Sequence, residues 1–303
     1  SYRISGGIIF FGVILLSVYG IVHAGKIRKK HYDVNICKKL SASSTHTPDC
    51  QTKCPPESLA PVLRIALIAD LHLGGSVGLP HARKMKKIID RMQPDLIIYA
   101  GDIFDNDFDA IDKPGEIAAV FRSLSSTYGS YACWGNHDLD EPILAGFTFG
   151  GKKKDQADPR MEQLLRDANI HLLTDEAELI DDKFYVVGRN DSSRTHKLGG
   201  QRLSPAQLTK DLDLDKPVIF IDHQPKQLQE TADAGADLDL CGHTHDGQIF
   251  PGNLFIHLFW ENSFGYLKKD KMHNIVTSGV GVWGPDMRVG TNCEICPITV
   301  HFQ

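Results

Sequence analysis

Five apolar runs, each short enough for a buried strand, stop on residues that coordinate or hydrogen-bond rather than pack. Val62 to Ala69 ends in Asp70-Leu71-His72, and Asp95 to Ala100 ends in Gly101-Asp102-Ile103-Phe104-Asp105. Ser130 to Trp134 ends in Gly135-Asn136-His137-Asp138, Pro217 to Ile221 in Asp222-His223-Gln224-Pro225, and Leu238 to Cys241 in Gly242-His243-Thr244-His245. Any single ending could be a turn, because Gly, Asn and Asp favour turn geometry. Continuous apolar runs belong to strands buried on both faces, and here they alternate with helical patterns over His81–Met92, Glu116–Ser125, Pro159–Ala168 and Ser204–Leu212. Short strand candidates also occur at 170–173, 177–180 and 184–187, two of them hairpin-like around Asp181-Asp182. A strand-rich close, with Asn274–Ser278 and Cys296–Phe302, then points to an α/β sandwich of two sheets.

Polar groups at the carboxyl ends of such strands face the crevice in which α/β proteins bind ligands. On one common edge they would gather Asp70, His72, Asp102, Asn136, His137, His223, His243 and His245. Eight such groups without a cation would leave buried polar atoms unsatisfied and carboxylates repelling one another. Four imidazoles, two carboxylates and an amide oxygen form a mixed nitrogen and oxygen set that suits manganese, iron or zinc rather than calcium. Seven ligands exceed the need of one ion. Two divalent ions sharing a carboxylate would use them all, and such a pair clamps the attacking and leaving oxygens of a displacement at phosphorus.

The ordered series Asp70-x-His72, Gly101-Asp102-x-x-Asp105, Gly135-Asn136-His137-Asp138, His223 and Gly242-His243-x-His245 resembles the motif set of the calcineurin-like metallophosphoesterases. The resemblance runs from about Val62 to the carboxyl terminus and implies a four-layer α/β/β/α sandwich of two mixed sheets. It implies that Asp70, His72 and His245 hold a first metal, Asn136, His223 and His243 a second, and that Asp102 bridges them, with manganese expected ahead of iron or zinc. His137 is then no ligand but a proton donor to the leaving oxygen, with Asp138 beside it to set its tautomer and raise its pKa. Asp105 is expected to support a ligand histidine. Asn106-Asp107 and Asp138 depart from the serine/threonine protein phosphatase pattern. The amino-terminal span, the Gly242–Gln248 run and Ser278-Gly279-Val280-Gly281 are instead similar to bacterial membrane-associated phosphoesterases, some of which cleave UDP-2,3-diacylglucosamine. Asp246, where many of these have Gly, is expected to add negative charge near the metals.

Gly6 to Gly25 contains no Asp, Glu, Lys or Arg, and twenty residues at helical rise span a bilayer core. The expected organisation is therefore a membrane-spanning anchor over 1–25, a basic flank and linker over 26–61, and a catalytic domain over 62–303. Arg3 precedes the span, whereas Lys26, Arg28, Lys29, Lys30, Lys38 and Lys39 follow it, which places the domain on the cytoplasmic face of the cell membrane as a single-pass protein. The expected partners are the bilayer and a phosphorylated substrate. A lipid-linked one would explain the anchor, and a soluble nucleotide or a silent binding role are the alternatives. A net charge of -5 and the lack of basic and aromatic interleaving argue against nucleic acid. Cys133 and Cys241 read as core residues, while Cys50, Cys54, Cys293 and Cys296 could form disulfides or hold zinc. Phe255, Phe259, Trp260 and Phe264 read as core and turn, with a rim near the membrane as the other reading.

Overall fold

The computed structural model describes residues 2–40, 61–141, 143–144, 147–148 and 157–303. Its first element, α1 (Tyr2–Ala24), is apolar all round and stands out from the rest, with Ile8, Ile9, Phe10 and Phe11 all more than 60% exposed. A helix with no polar face satisfies its own backbone but gains nothing from water on any side. Among the described residues, its last turns are what touch the domain. Gly20 packs on Met287 and Val289, its carbonyl accepts from the Arg288 amide at 3.1 Å, and His23 Nε2 reaches the Thr291 carbonyl at 3.0 Å.

The flank expected to be linker differs in its first part. β1 (Ile27–Lys29) and β2 (Tyr32–Ile36) both pair in parallel with β15 (Cys293–Phe302), so the folded domain begins before residue 62. Val34 and Ile36 face the core while the residues between them face water, and the lysines and arginines around so short an alternation hide it in the sequence. The remainder of that linker, with Cys50 and Cys54, lies outside the described residues, as does most of the Gly/Lys-rich stretch 148–155.

β3 (Val62–Ile68), β4 (Leu96–Ala100) and β5 (Ser130–Cys133) are parallel neighbours, followed by β6 (Ile143–Leu144) and β7 (Phe147–Thr148), which pair only with each other, and β8 (His171–Leu172). The first sheet runs β1-β15-β3-β4-β5-β8, with β2 also on β15. The second is built from β9 (Glu176–Ile180), β10 (Phe184–Arg189), β11 (Val218–Asp222), β12 (Leu238–Cys241), β13 (Gly265–Lys269) and β14 (Met272–Val276), in the order β13-β14-β12-β11-β10-β9. The turn at Asp181-Asp182 closes the β9–β10 hairpin as expected, and β13–β14 forms another.

Alternation along β3 sorts the layers. Ile65 and Leu67 meet Ile219, Ile221 and Leu240 of the second sheet, whereas Ala66 and Ile68 meet Met85 and Ile89 on α2 (Leu79–Met92). Residues from α3 (Pro114–Arg122) and α4 (Pro159–Asp167) complete that outer layer. After α5 (Ser192–Lys197), Leu208 of α6 (Pro205–Thr209) and Leu228 of α7 (Leu228–Asp233) cover Val187 and Phe220 on the far side. The result is the expected four-layer α/β/β/α sandwich of two mixed sheets. Cys133, Cys241, Cys293 and Cys296 are buried free thiols. Between β12 and β13 lies the one-turn helix α8 (Gly252–Phe255), where the sequence pattern predicts no helix.

Candidate metal centre

The five strand ends do converge, but from two sheets rather than one. β3, β4 and β5 deliver Asp70, His72, Asp102, Asn136 and His137, while β11 and β12 deliver His223, His243 and His245 across the gap between the sheets. Asp70, His72 and His245 form one buried cluster of donor atoms, and Asp102, His223 and His243 form another. Asn136 joins the second through Oδ1, 3.1 Å from His223 Nε2. Asp102 stands between them, with Oδ2 3.0 Å from His223 Nε2 and 3.9 Å from His72 Nε2.

Backbone groups aim these side chains. The His137 amide donates to Asp102 Oδ1 at 2.8 Å, and the His243 amide donates to Asp70 Oδ1 at 2.8 Å. His223 Nδ1 donates to the Ala100 carbonyl at 2.9 Å, which leaves Nε2 as a lone pair facing the centre. Asp70, His72, Asp102, His243 and His245 all have positive φ, a region that costs a non-glycine residue energy and is typical of sites where function constrains the backbone. Close approach explains Gly135, because a Cβ there would meet Asp102 Oδ1 at 2.1 Å.

The donor set fits a pair of cations. His72 Nε2 and His245 Nε2 face each other at 3.0 Å, a spacing at which two imidazole lone pairs repel unless a proton or a cation lies between them. Burial pushes the Asp70 carboxyl up to about 6 and the His243 imidazole down to about 3, the latter aided by the charge of His223. Burial opposes ionisation of Asp102 as well, yet His223, His137 and His72 hold it well below the usual carboxylate range. Asp105 is placed as expected, with Oδ1 3.5 Å from His72 Nδ1.

Asp138 does not do what was expected of it. Its fully buried carboxylate accepts from the Phe104 amide at 2.8 Å and the Gly135 amide at 2.6 Å, and burial, then Asp102, raises its pKa to about 7. Each of its two oxygens is held by a backbone amide, which turns the carboxylate toward the chain at Phe104 and Gly135. The partner of His137 Nδ1 is Asn106 Oδ1, in a close contact, and Asn106 is itself held by Glu141 Oε2 at 2.8 Å. Burial lowers His137 to about 4 rather than raising it. Asp246 directly follows His245 in the chain. Its charged surroundings are His257, Glu294, Lys30 and Arg288, and burial raises it to about 6.

Three arginines of the site carried no sequence signal of their own, and two tryptophans complete its walls. Arg288, buried, donates to the His245 carbonyl at 2.8 Å and lies 3.0 Å from its Nδ1. Arg189 and Arg202 clamp Asp222, the residue before His223, at 3.1 and 3.0 Å. Trp260 stands edge-on to His243 at 5.1 Å and Trp283 lies 5.8 Å from His137, walling a cavity of about 300 Å³ that includes Asp102, His137, His243 and His245. Each arginine is isolated in the sequence, and only the contacts reveal its role, whereas Trp260, read as core and turn with a rim as the alternative, lines the cavity.

Two stacked sheets with acidic and imidazole donors at their shared edge define an α/β sandwich with a candidate two-metal centre. The calcineurin-like phosphoesterase family model matches residues 63–247, and the chain belongs to that family. A transmembrane protein with a metallophosphoesterase domain from Danio rerio is 27% identical over 94% of this chain and 60% of its own length. An uncharacterized metallophosphoesterase from Aquifex aeolicus is 27% identical over 78% of this chain and 85% of its own. A UDP-2,3-diacylglucosamine pyrophosphatase from Chlamydia trachomatis is 24% identical over 62% of this chain and 64% of its own. The chain thus spans less than two thirds of the zebrafish and chlamydial proteins.

Proposed function

We propose that this protein is a membrane-anchored phosphoesterase that uses two divalent cations to hydrolyse a phosphodiester or diphosphate bond, on a lipid-linked substrate of the UDP-2,3-diacylglucosamine kind. The observation that carries the reading is Asp102, whose Oδ2 stands 3.0 Å from His223 Nε2 and 3.9 Å from His72 Nε2, one histidine from each cluster. Asp70, His72 and His245 would hold one ion, Asn136, His223 and His243 the other, and Asp102 both, with manganese first and iron or zinc also suited. When bound, such a pair lowers the pKa of a water and neutralises charge on the phosphate.

The remaining steps belong to the chain. In its protonated form His137 holds Nδ1–H on Asn106 Oδ1 and presents Nε2–H to the leaving oxygen, which takes that proton as its bond to phosphorus breaks and leaves a neutral ring. Trp260 and Trp283 orient the substrate and exclude water on either side. α1 anchors the domain, its basic flank sets the cytoplasmic side, and confinement to a surface raises the local concentration of a lipid substrate. The chlamydial relative's named substrate and the zebrafish relative's transmembrane description support this choice.

The test is the full chain in lipid nanodiscs, loaded with manganese and assayed on bis-p-nitrophenyl phosphate alongside elemental analysis. Two ions per chain and metal-dependent hydrolysis are expected. Metal uptake with no hydrolysis of any phosphoester would instead favour a silent binding protein. Faster cleavage of soluble nucleotide sugars than of the vesicle-borne lipid diphosphate would favour a soluble substrate.

A further inference from the structure

We infer that residues 250–259 form a second membrane-contacting element, seated in the headgroup layer beside the end of α1, so that the metal-site cavity opens against the bilayer surface. The inference rests on reading α1 as a membrane span and extends that reading to the domain. Phe250, Leu254, Phe255, Leu258 and Phe259 are all more than half exposed, Leu258 at 76% and Phe259 at 77%. This overturns the core reading of Phe255 and Phe259. Apart from α1, no other ten-residue stretch among the described residues exposes so many large apolar side chains. A contiguous exposed apolar patch marks an interaction surface.

Position selects the bilayer as its occupant. Gly20 lies four residues before the end of α1, about 6 Å back along the helix toward the membrane interior. Met287 and Val289 pack on Gly20, so this segment of the domain sits at the depth of the interface. Phe250 is tied to the same segment, its amide donating to the Val289 carbonyl at 2.8 Å. The apolar turn therefore starts beside the segment that packs on the end of the helix. Lys26, Arg28 and Lys29 stand exposed directly after the helix, where anionic headgroups attract cations. The turn has two sides: Ile256 and Trp260 line the cavity with His243 and His245, while Leu258 and Phe259 point out. A lipid-linked phosphate could then reach the metals without its acyl chains leaving the bilayer.

The test uses the full chain in vesicles of phosphatidylcholine and phosphatidylglycerol with brominated or unbrominated acyl chains. The added fluorescence of Phe259→Trp is expected to be quenched by bromine, and that of Leu214→Trp, an exposed residue ahead of the amino end of β11, is expected not to be. Equal quenching at the two positions overturns the inference. In a second arm, Leu258→Asp combined with Phe259→Asp is expected to slow cleavage of a vesicle-borne lipid diphosphate on the order of fivefold or more, with bis-p-nitrophenyl phosphate hydrolysis unchanged. Unchanged rates on both substrates count against it. Stripping of the wild-type chain from vesicles by alkaline carbonate defeats the α1 reading, and a manganese-loaded wild type inert on both substrates defeats the phosphoesterase reading. Neither alters what the quenching reports.

Discussion

Asn136 and His137 are adjacent in the chain and divided in task, so they should fail differently. Asn136→Ala is expected to lower metal occupancy, measured by elemental analysis, because its Oδ1 stands with His223 in the second cluster. His137→Ala is expected to keep its metals and lose roughly 10²- to 10⁴-fold in kcat on an alkyl phosphodiester, the range for proton transfer to a leaving group. Asn106→Ala should share the second phenotype more weakly, since it frees the His137 ring without removing it. Gly135→Ala is expected to cost both metal and activity, because its Cβ collides with Asp102. Away from the metals, Asp239 is fully buried beside Asn274 Nδ2 at 2.9 Å, and burial, then Asp222, raises it to about 7. A carboxyl whose folded pKa is raised stabilises the fold at low pH and loses that contribution as pH climbs from about 4 through 7. Asp239→Asn should therefore match wild type near pH 4 and exceed it at pH 8 by up to roughly 4 kcal/mol in urea unfolding.

The short strands after α1 matter more than their length suggests. β2 buries Val34 and Ile36 and covers one edge of β15, and Lys38 just beyond it pairs with Asp237 at 2.6 Å, next to β12. A chain beginning at residue 26 is expected to fold as a soluble domain. One beginning at residue 62 loses two buried side chains, each worth about 1.5–3 kcal/mol, and uncovers the β15 edge. It should melt lower and aggregate, which light scattering during a thermal ramp would report. Sequence pattern located α1 to α4, α6 and the longer central strands to within a few residues, because a long periodic pattern averages out single exceptions, whereas α5, α7 and α8 are only four to six residues each and were missed. β1 and β2 escaped because three to five residues rich in lysine and arginine offer too little alternation to read.

For the molecule as a whole, the two sheets meet at an edge that gathers Asp70 and Asp102 into one buried space. Cations bound there stabilise the folded state by mass action, about 2.7 kcal/mol at a hundredfold excess over Kd, so chelation is expected to lower Tm as well as abolish activity. The sequence by itself determined the two-sheet α/β character and the donor set, since strand periodicity and the donor identities at strand ends are local properties of the chain. It offered all seven proposed ligands, and the family resemblance implied the layer order and the bridging role proposed for Asp102. The tertiary structure alone decided which neighbour each group meets. Asn106 rather than Asp138 holds His137, Arg288 backs His245, and Phe259 faces outward while Trp260 faces the cavity. Such contacts join residues tens or hundreds of positions apart, or split adjacent ones between two faces, and their geometry depends on how the sheets and turns pack together.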